Sequence, residues 1–357
     1  MTSAADDSAT PRAVGSARAP RAATIYDVAE LAGVSHQTVS RHLKGFPGIR
    51  PETRERVEQA LSSLDYRPNL AARSLTTGRS HRIGALTYEI DQVGPSRIVQ
   101  GAAAAARRAG YVLDIVTLDS ADENGIATSL EVVNQNDLAG IIVLASSDEM
   151  TAAFRRTRFR VPSYLSSDED GAGDPASAPL ALAMDELVEH LYAQGHRRFY
   201  HLGGPANWVA AQHREAYYRA ALERRGLTSV GTTHGDWSSA AGYAAATTLP
   251  DEVTAIISAN DQMALGVLLA LDHSGRSVPG DVSVTGLDDI PESAFYNPPL
   301  TTIHLDTIAQ GATALTRLLD RISPGEFEIP VAPPARVVLR SSTGPVSGGT
   351  TDDLPRS

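Results

Sequence analysis

The chain has 357 residues, 31 Lys/Arg against 42 Asp/Glu for a net charge of −11, and no cysteine. It is longer than one typical domain, and the absence of cysteine excludes disulfides and thiolate metal sites. No run of about 18 apolar residues occurs, so no membrane-spanning helix is expected.

The opening stretch, residues 1–23, has no apolar signal core and contains Asp6 and Asp7, so it reads as a disordered arm in a cytoplasmic protein. Residues 24–82 hold nine Lys/Arg and six Asp/Glu, and the rest of the chain 22 and 36. This asymmetry describes a basic, DNA-facing module on an acidic body. Because an acidic body repels DNA, contact is expected at the basic end alone.

Residues 24–67 read as three short helices. Thr24 caps the first, with Asp27 as capping-box partner, and Ile25, Val28, Ala29 and Leu31 or Ala32 form its apolar face. Gly33 ends it, and Ser35 caps a second helix, HQTVSRHL. Burying Val39 and Leu43 in that helix turns His36, Gln37, Ser40 and Arg41 outwards. A third helix starts at Pro51 and packs through Val57, Ala60, Leu61 and Leu64. Two helices around a Gly turn form a helix-turn-helix, whose second helix enters the major groove. Gln and Arg there suit the bidentate reading of adenine and guanine.

The strings Ile25-Tyr26-Asp27-Val28-Ala29, Ala32-Gly33-Val34-Ser35, Thr38-Val39-Ser40-Arg41 and Tyr66-Arg67-Pro68-Asn69 strongly resemble the lactose/galactose-repressor (LacI/GalR-type) family of bacterial transcription regulators. The resemblance implies a repressor of a carbohydrate-utilisation operon, bound as a homodimer to a pseudo-palindromic double-stranded operator, with no enzymatic activity and no cofactor. The expected DNA contacts are Ser35, His36, Gln37, Thr38, Ser40, Arg41, Lys44 and Arg50, followed by Asn69, Ala72 and Leu75. Two of these depart from common family residues. Lys44 stands where Asn is frequent, and Arg50 stands where a Ser often caps the third helix; both offer phosphate contacts.

Residues 68–80 form the expected hinge and linker. An octapeptide helix such as 68–75 is marginal alone, and pairing with its copy over the minor groove would stabilise it. The resemblance makes Leu75 a wedge between base steps.

From residue 81 to 343 apolar strands at 83–87, 112–116, 140–144, 163–165, 199–202, 255–258, 282–285 and 337–340 alternate with helices, among them 96–108, 181–193, 212–225, 261–273 and 307–321. Such alternation implies parallel sheets covered on both faces. A break at 168–179 divides them into two doubly wound halves with a ligand cleft beyond the strand C-termini. The resemblance continues through Leu202-Gly203-Gly204-Pro205, Ala259-Asn260-Asp261-Gln262-Met263-Ala264 and Gly286-Leu287-Asp288-Asp289. It implies a periplasmic-binding-protein-like core whose chain crosses between subdomains about three times. Residues 344–357 are expected to be disordered. Nothing in them resembles the Leu-heptad tail that makes some members tetramers, so a dimer is expected.

Arg214, Trp237, Asn260 and Asp288 match sugar-holding positions of the family, and Trp208, Tyr88, Gln92 and Ile98 are candidates for the cleft walls. Vicinal hydroxyls pair with Asp, Asn and Arg, and a sugar's apolar face stacks on an indole. Leu305 and Thr307 replace polar and aromatic residues of a lactose-responsive relative, so the same galactoside is not carried over, and a plant-derived di- or oligosaccharide such as a β-galactoside or glucoside is the expected ligand. A purine or nucleoside effector is the alternative reading, and a sugar-transport protein the remote one. An enzyme fits poorly: Gly171-Ala172-Gly173-Asp174-Pro175-Ala176 imitates a nucleotide fingerprint, but Pro175 and Pro179 oppose the required helix. His190, His196 and His201 lack metal-helix spacing and read as capping or packing residues.

Overall fold

The computed structural model describes residues 23–43, 45–66, 80–88, 90–118, 125–144, 147–166 and 178–346. The chain divides into two compact units, Met1–Arg79 and Ser80–Ser357.

The first unit contains α1 (Ile25–Ala32), α2 (His36–Leu43) and α3 (Pro51–Ser63). Thr24 and Asp27 form the reciprocal capping box, with Thr24 N donating to Asp27 Oδ2 at 2.6 Å. Gly33, at φ 64, closes α1 in the left-handed conformation that glycine adopts without strain. Val28, Ala29, Ala32, Val39, Val57 and Ala60 make its core. Leu43 does not join them: it is 37 % exposed, because it is the last residue of a two-turn helix and no further turn covers it. Leu31 is likewise outside, so Ala32 carries that position of the α1 face. Arg50 supplies no side-chain cap to α3, in keeping with its lacking the Ser hydroxyl.

The second unit is built on two sheets. The first is all parallel, with order β2-β1-β3-β4, from β1 (Arg82–Tyr88), β2 (Val112–Leu118), β3 (Gly140–Leu144) and β4 (Ser163–Ser166). Helices α4 (Val93–Arg108), α5 (Gly125–Gln135) and α6 (Asp148–Arg156) connect its strands. The second sheet has order β10-β9-β8-β7-β5-β6. It comprises β5 (Phe199–Gly203), β6 (Gly231–His234), β7 (Ala255–Ser258), β8 (Ser283–Asp288), β9 (Thr301–His304) and β10 (Arg336–Val338), the last alone antiparallel. Helices α7 (Pro179–Ala193), α8 (Val209–Glu223), α9 (Ser239–Ala246), α10 (Asp261–His273) and α11 (Thr307–Ile322) complete the unit.

Strands β3, β7 and β8 are buried throughout and read as continuous apolar or Thr/Ser-bearing runs, as strands covered on both faces do. Strands β6 (GTTH) and β9 (TTIH) escape an apolar scan because they carry one large apolar residue between them. After β9 the chain returns to the first sheet, where α11 packs on α4, β3 and β4, before β10 rejoins the second. With the passage from β4 to α7, this makes three crossings.

The α4–α11 contact depends on two glycines: a Cβ on Gly101 would strike the Ile308 carbonyl, and one on Gly311 the Ile98 carbonyl. This close approach sets Ile98 beside Thr307 and Gln310. Both ends of the unit differ from expectation. Ser80 is buried and donates to the Asp137 carbonyl, so it belongs to the core rather than the linker. Gly344–Val346 are also part of the core, because the Gly344 carbonyl and amide satisfy the buried His196 and Ser283 side chains and Val346 N donates to the Gln194 carbonyl.

Candidate functional site

Strand C-termini converge on one cavity. The chain leaves β5 towards Trp208, β6 towards Trp237, β7 towards Asn260, β8 at Asp288 and β9 towards Leu305, while β1 leads to Gln92. The cavity is a cleft of about 630 Å³ that includes space open to solvent. Seven of the eight expected effector residues line it: Arg214, Trp237, Asn260, Asp288, Trp208, Gln92 and Ile98. The side chain of Tyr88 lies outside the described residues. Leu305 and Thr307 are also in the wall. A larger cavity of about 1670 Å³ adjoins it and shares Pro95, Ile98, Arg214, Leu305 and Gln310.

The polar wall belongs to the second sheet and is interlocked. Arg214, on α8, is 8 % exposed; Nη1 donates to the Ala259 carbonyl and Nη2 reaches Asp288 Oδ1 at 3.3 Å. Its guanidinium carbon also sits 5.3 Å from the Trp237 ring centroid, within cation–π range. Trp208 meets Trp237 edge-on at 5.6 Å. Among the described residues, Arg214 Nε and Trp237 Nε1 are buried donors with no hydrogen-bond partner. Asn260 caps α10, accepting from Met263 N at 2.8 Å, and donates to the Trp237 carbonyl at 2.9 Å. Its amide therefore holds the Trp237 loop as well as facing the cavity.

Three residues here occupy left-handed backbone: Trp237 at φ 71, Asp288 at φ 110 and Asp289 at φ 51. Such conformations cost about 1–3 kcal/mol each unless their surroundings hold them. Asp261 provides much of that hold for the β8 turn. Its Oδ2 accepts from Ile290 N at 2.9 Å and its Oδ1 from Thr302 Oγ1 at 2.5 Å. Burial, aided by the nearby Asp288 carboxylate, pushes the Asp261 carboxyl up to about 7. Asp289 goes the other way: burial opposes its charge, but the Arg340 guanidinium at 2.6 Å and His304 at 3.0 Å hold it below the usual carboxylate range.

The opposite wall comes from the first sheet and is largely apolar: Val93, Gly94, Pro95 and Ile98 beside Gln92. The walls also meet beyond the cavity, through a backbone bridge between Ser147 and Trp208 and a bond from Gln212 to Asp148 at 3.4 Å. Gln262 had a signal in the Ala259–Ala264 string. Gln310 and Ala210 had none, since α11 and the start of α8 reach the site only through the crossings.

The profile for "Bacterial regulatory proteins, lacI family" matches residues 24–69, and that for "Periplasmic binding protein-like domain" matches residues 188–343. The lactose operon repressor of Escherichia coli (strain K12) is 35 % identical over 313 residues, covering 85 % of each chain. The chain belongs to the LacI family of bacterial transcription regulators. The ribose operon repressor of the same strain is 32 % identical over 309 residues, 84 % of this chain and 93 % of that protein. The HTH-type transcriptional repressor PurR of Haemophilus influenzae is 31 % identical over 312 residues, 84 % and 91 % of the two chains. Among solved structures, the Lac repressor dimer bound to operator and the anti-inducer ONPF superposes with a TM-score of 0.78 at 32 % identity, over 91 % of this chain and all of that one. The CelR–cellobiose complex superposes at 0.63 and 27 % identity, over 90 % and 99 %.

In this LacI-family chain the outward face of α2 is open: Ser35, His36, Gln37 and Arg41 are exposed, and Thr38 and Ser40 half-buried. Ser35 Oγ is engaged locally, accepting from Thr38 N at 3.2 Å. Tyr26 lies 5.1 Å from the His36 ring, and Arg41 stacks over Phe46 at 5.5 Å. Arg50 is exposed at the start of α3. Lys44, Asn69, Ala72 and Leu75 lie outside the described residues. His196 and His201 are packing groups. His196 bridges Thr254 at 3.1 Å and the Gly344 carbonyl at 3.0 Å, and His201 stacks on Tyr218, where burial lowers its pKa to about 4.

Proposed function

We propose that the cavity binds a sugar and that binding releases the homodimer, acting as a repressor in the cytoplasm, from the operator of a carbohydrate-utilisation operon. The observation that carries this reading is the buried Arg214–Asp288 pair beside two unpartnered donors, Arg214 Nε and Trp237 Nε1. A polyol suits that set. Its oxygens accept from the two free N–H groups, its hydroxyls donate to the Asp288 carboxylate, and an apolar ring face meets the Trp208–Trp237 pair. The adjoining cavity leaves room for more than one ring, which favours a di- or oligosaccharide.

His36, Gln37, Ser40 and Arg41 read base edges, while Ser35, Thr38, Lys44 and Arg50 contact the backbone. Asn69, Ala72 and Leu75 act in the hinge, with Leu75 as the wedge. The Ser147–Trp208 bridge spans the two walls, so ligand bound between them alters the relation of the sheets and, through β1, the geometry at which the hinge is entered. This coupling is reciprocal: operator must weaken sugar binding by the factor by which sugar weakens operator binding.

A thermal-shift screen of mono-, di- and oligosaccharides and purines tests the reading, with Asp288→Asn as control. A sugar that stabilises wild type and not the variant supports it. The similarity to PurR makes a purine the second reading, and a purine hit would replace the sugar.

A further inference from the structure

The net charge of the core hides a strongly basic edge. Residues 154–160, Phe-Arg-Arg-Thr-Arg-Phe-Arg, place Arg155, Arg156, Arg158 and Arg160 within six positions, and all four are exposed. Among the described residues, none of these side chains makes an ion pair or hydrogen bond. Arg155 and Arg156 lie in the last turn of α6, where they suit the helix dipole, but Arg158 and Arg160 lie beyond it and have no such role.

The segment is held in shape. Asn134 Nδ2 donates to the Arg158 carbonyl at 3.1 Å, and Asn134 Oδ1 accepts from Arg160 N at 3.0 Å. Phe154 and Phe159 pair at 4.9 Å and pack on the apolar cluster beneath. The arginines are thus presented from a fixed backbone, which lowers the ordering cost of engaging them.

Their position gives them a partner. All four strands of the first sheet are parallel, and the segment leads directly into β4, so it lies at the edge where the strands begin. The same edge receives the chain from the DNA-binding unit. Ser80 Oγ donates to the Asp137 carbonyl, Ala139 N to the Arg82 carbonyl and Ile141 N to the Pro162 carbonyl, which ties the start of β1 to those of β3 and β4. Exposed Arg107 and Arg108 end α4 just before β2 at that edge. Opposing charges there include Asp114, already paired with Arg82 at 2.7 Å, Asp137, whose charge acts on Arg82, and Asp320 in the last turn of α11, which accepts from Gly325 N.

We propose that this arginine edge is an accessory DNA surface: Arg155, Arg156, Arg158 and Arg160, with Arg107 and Arg108, contact phosphates flanking the operator. Acidic net charge repels DNA from the core as a whole, but Coulomb attraction is screened over about 8–10 Å, so a local cluster of this kind acts on its own. The interaction adds affinity and salt dependence without sequence preference.

The test is a salt titration of full-length protein on a random-sequence 40-bp duplex, comparing wild type with the quadruple variant R155A/R156A/R158A/R160A and the corresponding quadruple Lys variant. The Ala variant is expected to bind several-fold more weakly at low salt. Its slope of log K against log salt should be smaller by about 0.9 for each phosphate that is no longer neutralised, and the Lys variant should match wild type. Equal slopes for wild type and the Ala variant would overturn the proposal and leave the edge to an acidic protein partner. Failure of wild type to bind any duplex would overturn it too, but would also contradict the helix-turn-helix reading, so the two failures are distinguishable.

Discussion

The helix-turn-helix unit and the cavity proposed for the effector are built in opposite ways. In the first, the side chains proposed to meet DNA are exposed on one face of α2, and Val39 on its other face packs with Val28 of α1 and Val57 of α3. In the second, the polar residues of the wall are themselves buried and bonded: Arg214 to Asp288, Asn260 to the Trp237 carbonyl, and Asp261 to Ile290 N and Thr302. Specificity can therefore drift in the reading helix at little cost to folding, whereas each change in the cavity also alters stability.

The sharpest test of the contrast is Arg214→Ala. It leaves Asp288 buried beside Asp261 without its cation, and breaking such a pair typically costs about 3–5 kcal/mol. Urea denaturation should show a loss of that size together with loss of effector binding; an unchanged midpoint would mean the pair is not buried in solution.

Asp261→Asn should change the pH dependence of stability. The free carboxyl titrates near 4 and the folded one at about 7, so between these values the native state holds a proton that the unfolded state has released. Asp261 therefore makes wild-type stability fall as pH rises from about 4 to about 7, by on the order of 3–4 kcal/mol, with no further change above. The Asn side chain accepts from Ile290 N and donates to Thr302, standing in for the neutral acid without titrating. The difference in unfolding free energy between wild type and variant should carry this slope; a difference that is flat with pH would refute the raised pKa.

Within the reading unit, Val39→Ala should cost about 2 kcal/mol, since Val39 is fully buried, and Leu43→Ala much less. Equal losses would mean that Leu43 is covered in solution. The smallest stability effect is expected for Gln37→Ala, within about 0.5 kcal/mol, although it should cost about 1–3 kcal/mol of discrimination at one operator position. A selection experiment on randomised duplexes reads the second number, and a preference identical to that of wild type would remove Gln37 from the reading set.

Local chemistry determined the reading unit. Caps, a Gly turn and a 3.6-residue apolar period lie within consecutive residues, so Thr24, Gly33, Ser35 and Val39 announce their roles without knowledge of any distant contact. The alternation of apolar strands and helices determined the doubly wound sheets for the same reason, failing at β6 and β9, where Thr and Gly fill the strands and cross-sheet packing rather than composition makes them β. Tertiary structure alone decided what the pocket residues do to one another. The Arg214–Asp288 pair joins positions 74 residues apart, Asn260 is tied to Trp237 across 23, and Gln310 reaches the cavity only because Gly101 and Gly311 let α4 and α11 touch. The basic edge shows the same division. Its arginines are plain in the sequence, but only the parallel register of β1, β3 and β4 places them on the side where the chain enters from the DNA-binding unit. Periodicity and capping are written in neighbouring residues, while burial and charge pairing depend on which distant strands end side by side.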